Sequence, residues 1–188
     1  MFGKKIFLLG AIFCITLFTI TACGTKTDEI PTDEILTDII EGRKDENFEL
    51  KIYLDKNIYS TEEIIQCYAT VEYVGDEESI TIYSSDPLVG FGLKDDKYFD
   101  GGYAVSDVLK STTFKKGEIV RFDYMKTGGW SDDDSNADFY KEFFAEKELI
   151  LPVGNYEVSA SIDGSFDSDD MLGTKYKQAV KTAIKVTN

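Results

Sequence analysis

Between Phe48 and Leu54 apolar residues alternate with charged or polar ones, and that period of two recurs down most of the chain. A helix returns to the same face about every 3.6 residues, so strict alternation buries a single face only if the backbone is extended. Ile65, Cys67, Ala69, Val71 and Tyr73 repeat the pattern and stop at Gly75-Asp76, and Ile80 and Ile82 form a short run closed by Asp86-Pro87. Val89, Phe91 and Leu93 follow, then Val120, Phe122 and Tyr124, then Tyr156, Val158, Ala160 and Ile162, and last Val180, Thr182, Ile184 and Val186. Such runs, separated by turn residues, predict an all-β fold: an antiparallel sandwich of about seven to nine strands, with two sheets burying their apolar faces against each other. Phe139, Tyr140, Phe143 and Phe144 break the pattern with helical spacing. They predict a short helix near residues 138–145 that plugs one end of the sandwich.

The segment from Leu149 to Ala160 reads Leu-Ile-Leu-Pro-Val-Gly-Asn-Tyr-Glu-Val-Ser-Ala. It resembles the corner that enters strand F in fibronectin type III and related immunoglobulin-like domains, a Leu-x-Pro-x-Gly-x-Tyr-x-Val pattern. The resemblance implies an immunoglobulin-like sandwich in which the Tyr156 hydroxyl turns back to an upstream backbone group, with Pro152 and Gly154 shaping the corner. It also implies that Val158 stands where antibody domains carry the second bridging cysteine, so Val158 and Cys67 should both be buried between the sheets. Two features depart from antibody domains: there is no cysteine pair, and Trp130 follows Thr127-Gly128-Gly129 in a loop-like stretch.

At the N-terminus Lys4 and Lys5 precede an uncharged apolar run from Ile6 to Ala22. This is the layout of a secretory signal, although its length is close to the ~20 residues that span a bilayer. Ile20-Thr21-Ala22-Cys23 resembles the lipobox of bacterial lipoprotein precursors. That resemblance implies removal of residues 1–22 and acylation of Cys23 with palmitate-class chains. It also implies a protein anchored in the bacterial cell membrane and facing its extracytoplasmic side. Residues 23–46 read as an acidic tether, with Thr32 placed to cap a short helix carrying Ile35, Leu36, Ile39 and Ile40 and ending at Gly42. Residues 47–188 then form the sandwich domain. With Cys14 in the signal and Cys23 acylated, Cys67 is the remaining thiol, so no disulfide can form within the domain.

The chain holds 20 basic and 35 acidic residues, and losing Lys4 and Lys5 leaves a net charge of −17. Such a surface repels nucleic acid and favours cationic partners. There is no histidine, which removes the usual general base and imidazole metal ligand. Cys67 lies between Ile65 and Ala69 on an apolar strand face, where a thiol is inert. Asp132, Asp134, Asn136 and Asp138 alternate like the first ligands of a calcium loop, but its sixth and twelfth positions hold Ala137 and Phe143 instead of glycine and glutamate. Residues 128–138 therefore read as a mobile, solvated acidic insertion, with calcium bound weakly if at all, and Ser165 to Asp170 as a second acidic loop.

No cofactor and no catalytic constellation emerge. The expected function is a surface-exposed, non-catalytic module that binds a protein, peptide or glycan, or serves as an accessory domain. An alternative follows from a loose resemblance to proteinase inhibitor-like sandwich domains: inhibition or regulation of an envelope enzyme by a protruding loop, with residues 95–107 and 126–138 as candidates. A carboxylate-based hydrolase is a third reading, because two facing acids suffice for glycoside cleavage.

Overall fold

The structure is a computed structural model and describes residues 39–169 and 175–188. These form ten strands and one helix in the order β1 (Ile39–Lys44), β2 (Phe48–Leu54), β3 (Ile58–Ser60), β4 (Cys67–Tyr73), β5 (Ser79–Asp86), β6 (Val89–Lys94), β7 (Ser106–Lys115), β8 (Ile119–Asp123), α1 (Ala137–Ala145), β9 (Gly154–Ser165) and β10 (Lys175–Thr187). One sheet has the order β1-β2-β4-β8. The other runs β3-β10-β9-β5-β7, and β6 also pairs with β9. Every strand contact is antiparallel except that of β3 with β10.

The core lies where the alternation places it. Phe48, Leu50, Ile52 and Leu54 are fully buried on β2, and Ala69 and Val71 on β4. They face Val158, Ala160 and Ile162 of β9 and Val180, Ile184 and Val186 of β10, all buried. Strand β9 is long enough to hold β10 along one edge and two successive strands along the other, β6 over residues 157–162 and β5 at Ser165. Pro87 has no N–H to give to a ladder, so the chain breaks between β5 and β6. The Asp86–Pro87 bond is cis.

The strands number ten rather than seven to nine, because three lack an alternating pattern. Strand β7 is an edge strand exposed on both faces over most of its length, with Val108 57% and Leu109 53% accessible, so burial imposes no period on it. Strand β3 has three residues. Strand β1 corrects the expected tether: Ile39–Lys44 pairs with residues 49–54 of β2, so the folded domain begins by Ile39 and not at residue 47, and no helix ends at Gly42. The signal segment, Cys23 and the rest of the tether to residue 38 lie outside the described residues.

The pairing also fixes which ends of the strands meet. Ile39 lies opposite Leu54, Leu54 opposite Cys67, and Tyr68 opposite Asp123. In the other sheet Lys94 lies opposite Glu157, and Gly154 opposite Val186. The first described strand therefore enters the fold at the end where β6 and β8 stop and β9 starts. The connections carrying α1 gather there.

Candidate functional site

The corner before β9 sets the geometry of this end. The Tyr156 hydroxyl donates to the Pro152 carbonyl at 2.8 Å, and the ring is buried. A Cβ on Gly154 would come within 2.9 Å of that hydroxyl and 3.0 Å of the ring, so glycine leaves room for the tyrosine to fold back over its own approach. Leu149 and Leu151 fill the core beneath, and the Leu149 carbonyl accepts the Ile65 N–H at 2.8 Å. Burial, with Asp95 and Tyr98 nearby, pushes the Tyr156 hydroxyl above its ordinary pKa and keeps it a donor.

Residues 95–104 fold back over β6. Asp95 Oδ1 accepts the N–H groups of Tyr98 and Phe99 at 2.7 Å and of Lys97 at 3.2 Å, and Gly101 N–H returns to the Leu93 carbonyl at 2.7 Å. This close approach requires a bare backbone beneath, since a Cβ on Gly92 would meet the Gly101 carbonyl oxygen at 2.3 Å. Helix α1 lies against the same loop. Tyr140 donates its hydroxyl to the Tyr98 carbonyl at 2.5 Å, Tyr98 stacks on Phe139 at 3.8 Å, and Phe99 meets the Phe143 ring at 5.0 Å.

Lys126 closes the C-terminal end of α1. The last turn of the helix contains no basic residue, and the ammonium supplied from the β8–α1 connection donates to the Phe143 and Glu146 carbonyls, both at 2.8 Å. It sits 4.1 Å from the centroid of the Phe143 ring. Helix carbonyls and a ring face both attract a cation. Burial lowers the Lys126 pKa, and Glu146 and Glu148 oppose that shift.

Between the corner, the 95–98 turn and α1 lies a cleft of about 890 Å³. Phe139, Phe143, Ile150 and Leu151 make its apolar lining, while Asp95, Asp96, Glu142 and Glu146 stand around it with Val153, 54% accessible. Among the described residues none of these four carboxylates takes part in an ion pair. A second hollow of about 420 Å³, lined in part by Tyr103, Tyr124 and Phe144, adjoins it and shares Tyr98, Lys126 and Phe143.

No family model matches this chain, and no curated protein matches it.

The residues singled out from sequence fall in several places. Cys67 and Val158 are both buried, on β4 and β9 of the two facing sheets. Burial pushes the Cys67 thiol up to about 12, so it is neither ionised nor nucleophilic near neutrality. The acidic run is more organised than a free solvated loop: Asp134 Oδ2 accepts the Ser131 N–H at 2.7 Å, and the Asn136 side chain donates to the Lys97 carbonyl at 3.3 Å. Helix α1 begins at Ala137, which places Asp138 in its first turn. Such side-chain to backbone bonds offset part of the repulsion among the aspartates. Trp130 is exposed, with the Lys141 ammonium 5.8 Å from its ring. The cleft itself had no sequence signal beyond the helical spacing of Phe139 and Phe143.

Proposed function

We propose that this protein is a lipid-anchored, surface-displayed bacterial lipoprotein whose immunoglobulin-like sandwich is a non-catalytic binding module, and that the cleft beside α1 takes its ligand. The observation that carries this reading is a preformed apolar cleft rimmed by polar groups, the usual form of a binding site. The lipobox ending at Cys23 supports the address, and a chain without histidine is poorly equipped for acid–base work.

The inhibitor reading asks for a loop free to insert into an enzyme. The two candidate loops, residues 95–107 and 126–138, instead contact each other, through Ala104 N–H to Thr127 Oγ1 at 3.1 Å and the Asn136 side chain to the Lys97 carbonyl, which favours the cleft.

The test is photo-crosslinking in intact cells. A crosslinking side chain placed at Val153 in the full chain should give a discrete adduct, and one at Thr113 on β7 should not. Fatty-acid labelling should mark wild type and spare Cys23→Ser. Equal adducts from both positions, or labelled Cys23→Ser, would contradict the proposal.

A further inference from the structure

We infer that the cleft beside α1 selects a cationic polypeptide segment, with a lysine or arginine head held among Asp95, Asp96, Glu142 and Glu146 and an apolar neighbour on the floor. The inference rests on the reading of the cleft as the ligand site and adds the chemistry of what it takes.

Charge complementarity is its first support. On the outer faces of the sheets, several acids are answered from within the chain, although Glu41, Glu72 and Asp107 are in no described ion pair: Lys177 meets Asp163 at 2.6 Å, Lys181 meets Glu157 at 2.8 Å and Lys51 meets Glu49 at 3.1 Å. Around the cleft that pairing stops. Glu142 in the last turn of α1 and Glu146 at its C-cap are four residues apart, both at a helix end whose carbonyls are already negative, and Glu146 Oε1 accepts the Glu148 N–H at 3.1 Å. Asp96 is exposed and carries no described bond, and Asp95 commits one oxygen to three backbone N–H groups.

The second support is independent of the acids. The cleft wall already holds an ammonium, since Lys126 lies between the face of Phe143 and the carbonyls of Phe143 and Glu146. Cation–π contact and carbonyl dipoles hold a lysine head here in the folded protein, against the burial that lowers its pKa. Lys126 spends its donors on the helix-end carbonyls and forms no described ion pair with the rim carboxylates, although Glu146 is near enough to favour its charge. Among the described residues the other lysine lining the cleft is Lys97, which lies over the Tyr98 ring at 4.5 Å.

The floor decides between a small cation and a peptide. Phe139, Phe143, Ile150 and Leu151 offer apolar surface that an isolated ammonium would not use, and the volume of about 890 Å³ exceeds one side chain. An extended segment alternating basic and apolar residues meets both parts. The acidic stretch that precedes β1, with Asp28, Glu29, Asp33 and Glu34, is unsuited by charge.

The experiment uses the full chain in detergent micelles and a fluorescent octapeptide of alternating lysine and leucine, read by anisotropy. Saturable binding is expected, weakened roughly tenfold by Glu142→Gln with Glu146→Gln and reduced less than about twofold by Glu157→Gln with Asp163→Asn, which removes the same charge from the face of β9. The peptide with glutamate in place of lysine should not bind. Equal weakening by the two double variants would overturn the inference, because general attraction to an acidic protein would then account for binding. Absent binding while Val153 still crosslinks a partner would overturn the cationic ligand and leave the binding module standing. Absent binding together with absent crosslinking would overturn both.

Discussion

The two ends of the sandwich use the same residue types, acids beside aromatics, to opposite effect. At the end away from the cleft, Asp45 accepts the Asn47 N–H at 2.8 Å, the Phe48 N–H at 2.9 Å and the Tyr176 hydroxyl at 2.9 Å. Around it Phe48 packs on Tyr73, Phe114, Phe166 and Tyr176 with ring centroids 5.2 to 6.4 Å apart. There the acid is consumed by the fold, beside a smaller hollow of about 240 Å³ that Asp45 and Tyr176 line. At the other end Phe99, Phe139 and Phe143 also cluster, and Asp95 and Glu146 accept backbone N–H groups, but Asp96 and Glu142 stand around an open cleft with no described side-chain bond. A carboxylate ringed by donors contributes to folding, whereas one left on a helix next to another costs a little stability and keeps its charge for something outside the chain.

Phe48→Ala probes the contrast most strongly. Its ring is fully buried at the Asp45 end, so truncation should cost about 3–5 kcal/mol in urea unfolding. Phe139→Ala, half-buried beside the cleft, should cost well under that, and equal losses would erase the distinction between the ends. Next is Tyr156→Phe, which removes the donor to the Pro152 carbonyl and should cost about 1–2 kcal/mol. Coincident melts would mean that the corner contributes nothing.

Asp45→Asn should cost about 1 kcal/mol at neutral pH and nothing in strong acid. Burial of Asp45 opposes ionisation, but the Phe48 and Asn47 N–H groups, the Tyr176 hydroxyl and Arg43 outweigh it and hold its pKa below the ordinary carboxylate value. A carboxylate with a depressed folded pKa stabilises fully above its unfolded pKa, and the contribution fades as pH falls through the folded one. A difference from wild type that grew in acid would reverse this sign. The smallest effect is a gain: Glu142→Gln with Glu146→Gln should raise stability by about 0.2–0.5 kcal/mol by removing two like charges from the C-terminal end of α1. A measurable loss would mean that these acids serve the fold after all.

Much of the fold was legible because burial writes a period into sequence. Strand β2 alternates buried and half-buried residues from Phe48 to Leu54, and β9 does so from Tyr156 to Ile162. Helix α1 showed in the spacing of Phe139, Phe143 and their neighbours within one residue of its start. Legibility failed where burial does not alternate with type. Strand β7 is exposed on both faces, and β10 buries Gln178, whose side chain donates to the Phe48 carbonyl at 3.2 Å, so that strand was visible only from Val180 onward. Strand β1, an edge strand with the polar run Glu41-Gly42-Arg43-Lys44, looked like more tether. The cleft was illegible for a different reason. Asp95 and Asp96 lie more than 40 residues from Glu142 and Glu146, and in a chain this acidic no spacing marks which carboxylates will converge.

The most direct test of the open end is hydrogen exchange on the full chain in micelles, with and without the lysine–leucine octapeptide. A ligand held in the cleft slows exchange in residues 95–101, α1 and 150–155 and leaves Asp45–Phe48 and Tyr176 unchanged. Protection that appears at Asp45–Phe48, or that spreads evenly over the strands, would contradict it.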